Sequence, residues 1–334
     1  MKIKHSNIPV FLPELACPHR CVFCNQSRIS GQQSIPSFTN VVDTVEQHLR
    51  TLASDTVVQV AFFGGSFTGL PLQVQEGYLS LVKPYLASGA VSGIRVSTRP
   101  DYITDEILDL LVSYGVVDVE LGAQSFDDGV LKASGRGHKR GDITNASQLI
   151  LSRGLGLGLQ MMIGLPADSL DKSLHTARSI IDAGAHSTRI YPTLVIRDTP
   201  LAQMYARGEY TPLTLDEAVG WTAELYRLFE QGGVTVLRTG LHPNEDFKSG
   251  KSLVDGPYHP LFKELVMSRI WFRLLEEALP LHRGRLTIHV PENQVNYAIG
   301  YNSENRQRLK ERTGWIRILS DKSLHGYEFH FSYH

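Results

Sequence analysis

Cysteine is nearly absent from this chain: there are three in 334 residues, at positions 17, 21 and 24. An odd count inside eight residues, with nothing marking secretion, argues against a disulfide framework. With no cysteine beyond the trio, a second cysteine-bound metal cluster is excluded as well. Long apolar runs are missing. None reaches the roughly 18 residues that a membrane span needs, so no membrane partner is expected. The start, Met1-Lys2-Ile3-Lys4-His5, lacks the apolar core of a signal peptide, which implies a cytoplasmic, reducing setting. Excess charge of either sign is missing too. Lys and Arg number 33 and Asp and Glu 34, for a net charge of −1. That balance disfavours non-specific nucleic-acid binding over the whole surface but leaves room for a local basic patch. Solenoid-type repeats and low-complexity segments are also lacking.

What is there begins with the trio itself, Cys17-Pro18-His19-Arg20-Cys21-Val22-Phe23-Cys24, just after the apolar run Ile8–Leu12. Three thiolates on one tight loop suit three irons of a [4Fe–4S] cubane, because soft sulfur favours iron and the spacing keeps the ligands on one concave side. The fourth iron then stays open to a small molecule. Zinc with His5 or His19 as fourth ligand, or inert cysteines, are the alternatives that the residues leave open.

Downstream, strand and helix patterns alternate for about 230 residues. Strands are expected at Ile8–Leu12, Val57–Phe63, Gly93–Thr98, Val116–Ala123, Leu155–Ile163, Thr188–Val195 and Val234–Leu237. Such alternation implies right-handed βαβ units and a parallel sheet that can curl into a closed or partial barrel, with its chemistry at the carboxyl ends of the strands. The unusual residues gather at those ends: the cysteines, Gly64-Gly65, Ser97-Thr98-Arg99 and Gln124. After about residue 240 the rhythm breaks. Leu241–Pro260 reads as a linking loop. Helices are expected at Phe262–Ala278, Glu292–Ile299 and Ser303–Thr313, a strand at Arg285–Val290, and an antiparallel pair at Ile316–Leu319 and Tyr327–Ser332. This divides the chain into residues 1–240 and a small α+β extension, 241–334.

Several polar residues stand out within apolar strands. Glu120 and Gln124 fall on one face of the fourth strand, and a buried carboxylate needs a polar partner; it serves either a structural ion pair or a ligand. Gln160 interrupts a buried strand and is expected in the barrel lumen. Arg189, Tyr191 and Thr193 alternate, so they share a face. Arg99, at a strand end, is either a carboxylate clamp or a solvated side chain. Ser134–Lys139 is a basic, glycine-flanked loop suited to cover a site. Gly154-Leu155-Gly156-Leu157-Gly158 lacks the spacing of a dinucleotide-binding turn.

The trio resembles the mark of the radical S-adenosylmethionine (SAM) superfamily, Cys-x3-Cys-x-aromatic-Cys, with Phe23 in the aromatic slot. The resemblance implies a partial (β/α)6 TIM-like barrel. It also implies a [4Fe–4S] cluster on Cys17, Cys21 and Cys24, with SAM chelated to the open iron. One electron, from a reductant such as flavodoxin or ferredoxin, then splits SAM into methionine and a 5′-deoxyadenosyl radical that abstracts hydrogen from a substrate. Gly64, Gly65, Ser97, Arg99, Glu120 and Gln124 would hold SAM, and Gln160, Arg189 and Tyr191 would face the substrate. Ser66 stands where many members carry Glu, so the backbone role of that turn carries over and the carboxylate role does not. With the trio starting at residue 17, no N-terminal cobalamin domain is expected.

A closer resemblance follows Ser97–Asp101, Val119–Ser125, Arg136-Gly137-His138, Gly164-Leu165-Pro166, Ile190–Arg197 and Gly256–Pro260. These look like the radical SAM core of Elongator subunit 3 and its shorter bacterial relatives without an acetyltransferase domain. That resemblance points to tRNA modification. A small-molecule substrate, or a non-catalytic iron–sulfur carrier, is the alternative, because the acetyltransferase domain and basic arm are not expected here. Arg136, His138, Lys139 and Arg189 would form a local basic rim for a tRNA partner; Arg283, Arg285, Arg306, Arg308, Lys310 and Arg312 offer a second basic set, or else a solvated face. Nothing fixes the oligomeric state.

Overall fold

The computed structural model describes residues 4–12, 21–25, 28, 35–53, 55–241, 250–279 and 284–333. Its first strand, β1 (Lys4–Leu12), lies at a sheet edge, where Pro9 costs little by lacking an amide. Helix α1 (Phe38–Thr51) opens on a capping box in which Ser37 and Asn40 satisfy each other's backbone amides. Such a cap is worth about 1 kcal/mol. The chain continues through β2 (Thr56–Gly64), α2 (Leu72–Ala87), β3 (Gly93–Thr98), α3 (Asp105–Ser113) and β4 (Val116–Gln124). After β4 come α4 (Asp128–Ala133), α5 (Arg140–Ser152), β5 (Gly156–Ile163), α6 (Leu170–Asp182) and β6 (Ser187–Pro192). The two-residue strand β7 (Val195–Ile196), α7 (Pro200–Ala206), α8 (Leu215–Gln231) and β8 (Thr235–Thr239) complete this part.

Seven strands pair in the order β1-β2-β3-β4-β5-β6-β8, every neighbour parallel. The sheet curls into a half-barrel with helices outside. Period-2 alternation sorts its two faces. Val60, Phe62, Ile94, Val96, Val119, Leu121, Leu157, Leu159 and Ile190 pack outward into the main core. The opposite residues of the same strands line the concave side, and most of them are polar.

In this part expectation and structure differ at three places. The strand expected at Thr188–Val195 stops at Pro192. Pro192 offers no amide to the ladder, and Thr193 turns back so that its amide and hydroxyl both bond the Ile163 carbonyl. The following β7 pairs antiparallel with β9 (Leu253–Asp255), a strand inside the segment expected to be a loop; residues 242–249 of that segment lie outside the described residues. The short helices α4 and α7 were not expected, since six or seven residues carry too little periodicity to show.

After α9 (Phe262–Ala278) come β10 (Gly284–Pro291), α10 (Val295–Ile299), α11 (Glu304–Thr313), β11 (Gly314–Asp321) and β12 (His330–Tyr333). The expected antiparallel pair of the last two strands is not formed. They flank β10 on opposite edges, β11 parallel to it and β12 antiparallel. The helical crossover through α10 and α11 returns β11 in the direction of β10, which leaves the other edge for β12. Helix α9 joins two cores. Phe262, Val266, Met267 and Ile270 belong to the barrel core, and Trp271 and Leu275 to the core under the three-stranded sheet. No described helix is long and apolar enough to cross a membrane.

Candidate active site

The concave side of the half-barrel is a column of charges, and two glycines make room for it. At its foot Asp118 accepts from Gln59 at 2.9 Å and from Arg95 at 3.0 Å, with His186 3.3 Å away. A Cβ at Gly156 would stand 2.0 Å from Asp118 Oδ1, and one at Gly158 3.3 Å from Glu120 Cγ. Of the alternating glycines 154, 156 and 158, which match no nucleotide-binding turn, Gly156 and Gly158 are therefore the floor on which two β4 carboxylates lie.

One step higher, Glu120 is 4% exposed. Its Oε1 is 2.7 Å from Arg189 Nε, and its Oε2 is 3.8 Å from Arg95 Nη1 without a hydrogen bond. The buried carboxylate thus has the polar partners that its desolvation demands. Arg189 also lies 5.0 Å from the Phe63 ring and faces Tyr191. Burial raises the Tyr191 phenol despite the neighbouring guanidinium, so it stays protonated. Arg238, the register partner of Arg189 on β8, adds a third cation; burial and Arg189 together lower its pKa.

At the carboxyl ends, a bulge between Gly122 and Gln124 and a positive φ of 66° at Gln124 turn this side chain toward β5. Gln160 there donates to the Gln124 amide oxygen at 3.2 Å. Ser97 is the register partner of Glu120. Gly64 ends β2 at φ 110°, where a Cβ would meet the Leu12 carbonyl at 2.5 Å, and Gly65 donates to that carbonyl at 2.6 Å. Only glycine fits that approach.

Arg99 is placed differently. Its guanidinium forms a bidentate pair with Asp101 at 2.9 and 2.8 Å and donates to the Arg136 carbonyl at 2.6 Å. Burial alone would raise the Asp101 pKa, but Arg99 holds it below the usual carboxylate range. Arg99 thus braces the loop that carries Arg136 and His138. Arg136 in turn donates to Gly122 O at 2.5 Å and to Cys21 Sγ at 3.2 Å.

The cysteine loop is set by those contacts. Val22 N bonds Ser134 O at 3.1 Å, Leu201 N bonds Val22 O at 2.8 Å, and Cys24 N closes a turn on Cys21 O at 3.0 Å. Phe23 and Cys21 sit among Val130, Leu165, Val195, Leu201 and Tyr210, an apolar wall over the strand ends. Cys17 and His19 lie outside the described residues. The sequence reading missed Arg95, Asp118 and Arg238 as members of the site; Arg136, expected on a basic rim, is instead buried against Gly122 and Cys21. The only signal for the first two was their lumen-side alternation with Ser97 and Glu120.

The residues present fit an iron–sulfur cluster with SAM. The Cys21 sulfur accepts a hydrogen bond from Arg136, and Cys24 follows on the same turn. Beside them are a glycine cradle that a Cβ would fill and a buried carboxylate oxygen without a hydrogen bond.

Comparison with known proteins agrees with this geometry. The model described as "Radical SAM superfamily" matches residues 15–180, and "Radical_SAM C-terminal domain" matches 185–271. A "tRNA uridine(34) acetyltransferase" of Dehalococcoides mccartyi is 25% identical over 256 residues, 66% of this chain and 56% of that protein. Protein YhcC of Escherichia coli is 24% identical, covering 64% of this chain and 71% of YhcC. The chain spans about half the length of the acetyltransferases it matches. Among solved structures, the archaeal Methanocaldococcus infernus Elp3 with an N-terminal deletion superposes with a TM-score of 0.63 at 20% identity, covering 83% of this chain and 64% of that one. The family carries SAM and a [4Fe–4S] cluster in general. By its matched domains, its curled parallel sheet and its Elongator-like relatives, this chain is an enzyme of the radical SAM superfamily.

Proposed function

We propose that the chain binds a [4Fe–4S] cluster on Cys17, Cys21 and Cys24 and uses SAM to abstract hydrogen from a nucleoside of tRNA. The observation that carries this reading is the column from Glu120 to Gln160, which rises to the cysteine loop with a cationic surplus (Arg95, Arg189 and Arg238 against Asp118 and Glu120). When bound, the cluster supplies one electron to SAM, whose cleavage yields the hydrogen-abstracting species. The rest falls to the chain's own residues. Backbone groups of Gly64 and Gly65 would hold the SAM amino group, and Ser97, Glu120 and Gln124 would hold the rest of SAM. Arg99 acts one step removed, by bracing Arg136. Gln160, Arg189 and Tyr191 face the substrate, Tyr191 as a hydrogen-bond donor. The Phe23 wall excludes water. Cytoplasmic placement, a flavodoxin- or ferredoxin-like reductant, and a division near residue 240 belong to the same proposal.

For tRNA, support comes from the relatives and from the exposed face of the three-stranded sheet. There Arg285 lies 5.9 Å from the Trp315 ring, and Arg317 follows on the same side. A stacking surface flanked by cations suits unpaired bases. The small-molecule alternative is favoured by α11, whose Arg308 and Arg312 are already paired with Glu304 and Glu276. The test is tRNA binding at two salt concentrations. Arg285→Ala/Arg317→Ala should weaken it roughly tenfold or more and flatten its salt dependence, with Arg306→Ala/Lys310→Ala as comparator. No binding by wild type at low salt would favour the small molecule.

A further inference from the structure

The three-stranded sheet carries a cluster unrelated to the barrel. His289 on β10 and His330 on β12 are register partners, their rings stacked at 4.5 Å and 9°. Asp321, the last residue of β11, reaches His330 Nε2 at 3.3 Å. One donor atom from each of the three lies within 4.8 Å of the other two. We propose that His289, Asp321 and His330 bind a divalent transition metal of the zinc class.

The chemistry selects that class. Two imidazoles and one carboxylate suit zinc and its neighbours, and not magnesium or calcium, which require mostly oxygen. Two neutral imidazoles and one carboxylate leave a bound dication with a net +1 to share with water in the fourth position. Tetrahedral zinc needs ligand atoms about 3.4 Å apart, so the cluster must contract. The exposed His330 side chain can do this by rotating, while β10 holds His289 still. His289 Nε2 also meets Ser332 Oγ at 2.9 Å, a contact that fixes the ring.

The placement suggests what the metal does. Asp321 and His330 bracket the loop 322–329, so a shared ion clips that loop at both ends. The loop carries Tyr327 onto α8, where its hydroxyl meets Glu230 at 3.2 Å and Arg227 covers its ring at 4.3 Å. Phe329 and Tyr327 both pack on Trp271 of α9. A clip here steadies the contact between the C-terminal sheet and the barrel helices.

The test uses the full chain carrying its iron–sulfur cluster, stripped of loose metal and titrated with zinc alone. Wild type should take up one zinc per chain and melt several degrees higher with it. His289→Gln/His330→Gln should lose affinity at least roughly tenfold and lose the thermal gain; His330→Gln alone, an exposed change, guards against misfolding. Asp321→Asn should fall between. Cys21→Ala/Cys24→Ala should keep the zinc, which separates this site from the cysteine loop. Zinc uptake indifferent to the histidine substitutions, or none by wild type at about 100 µM, overturns the proposal.

Discussion

Gly156 and Gly154 are two residues apart and differ in what they do. A Cβ at Gly156 would collide with Asp118, whereas Gly154 has open space around it and only a φ of 70° to defend. Alanine at 154 should therefore cost about 1 kcal/mol, and alanine at 156 about 2–4 kcal/mol, because the Asp118 network must shift. Chemical denaturation of the two variants checks the order; equal losses would mean the lumen is not packed as described. At the same scale, Arg136 is the one described side chain given a hydrogen bond to Cys21 Sγ. Replacing it with Ala removes a cation and a donor from the proposed cluster ligand. The reduction potential of the reconstituted protein should fall on the order of tens of millivolts with iron content preserved. An unchanged potential would reduce Arg136 to a loop brace. Both stretches stood out in the sequence, but their partners did not. Gly156 and Asp118 are 38 positions apart, and only the strand register brings them together.

The element that couples sheet and cysteine loop is the turn 134–139 between α4 and α5. Its His138 is fully enclosed, with Nε2 3.3 Å from Ala123 O. Burial, with Arg136 and Arg99 beside it, lowers its pKa from 6.5 to about 3. Between those values the unfolded chain takes up a proton that the folded chain refuses. This contribution is complete above pH 6.5 and drains away as pH falls toward 3, by up to about 1.4 kcal/mol per pH unit. His138→Gln keeps a donor for Ala123 O and should flatten that slope in denaturation between pH 6.5 and 4. A slope identical to wild type would place the acid sensitivity elsewhere. Elements were the most legible level of the sequence: β3 at Gly93–Thr98 and α9 at Phe262–Ala278 come out as their periodicity implies. Pairing was less legible. Nothing local distinguishes a β12 that pairs with β11 from one that pairs with β10, because that choice is made by the α10–α11 crossover.

At the scale of the whole molecule, the half-barrel presents one end to chemistry, and the cysteine loop closes over it by bonds to Ser134, Leu201 and Arg136. The spacing of the trio and the polar strand ends pointed to that end from the sequence. Which charges would pair in the lumen was not legible, since Arg95, Arg189 and Arg238 come from three strands. The most direct measurement of the account is SAM turnover by anaerobically reconstituted, reduced protein. Methionine and 5′-deoxyadenosine should appear together. Cys21→Ala should abolish both, and Glu120→Gln should weaken SAM binding while leaving the iron in place. Protein that holds about four irons per chain and yields neither product, with SAM leaving the spectrum of the reduced cluster unchanged, would contradict it.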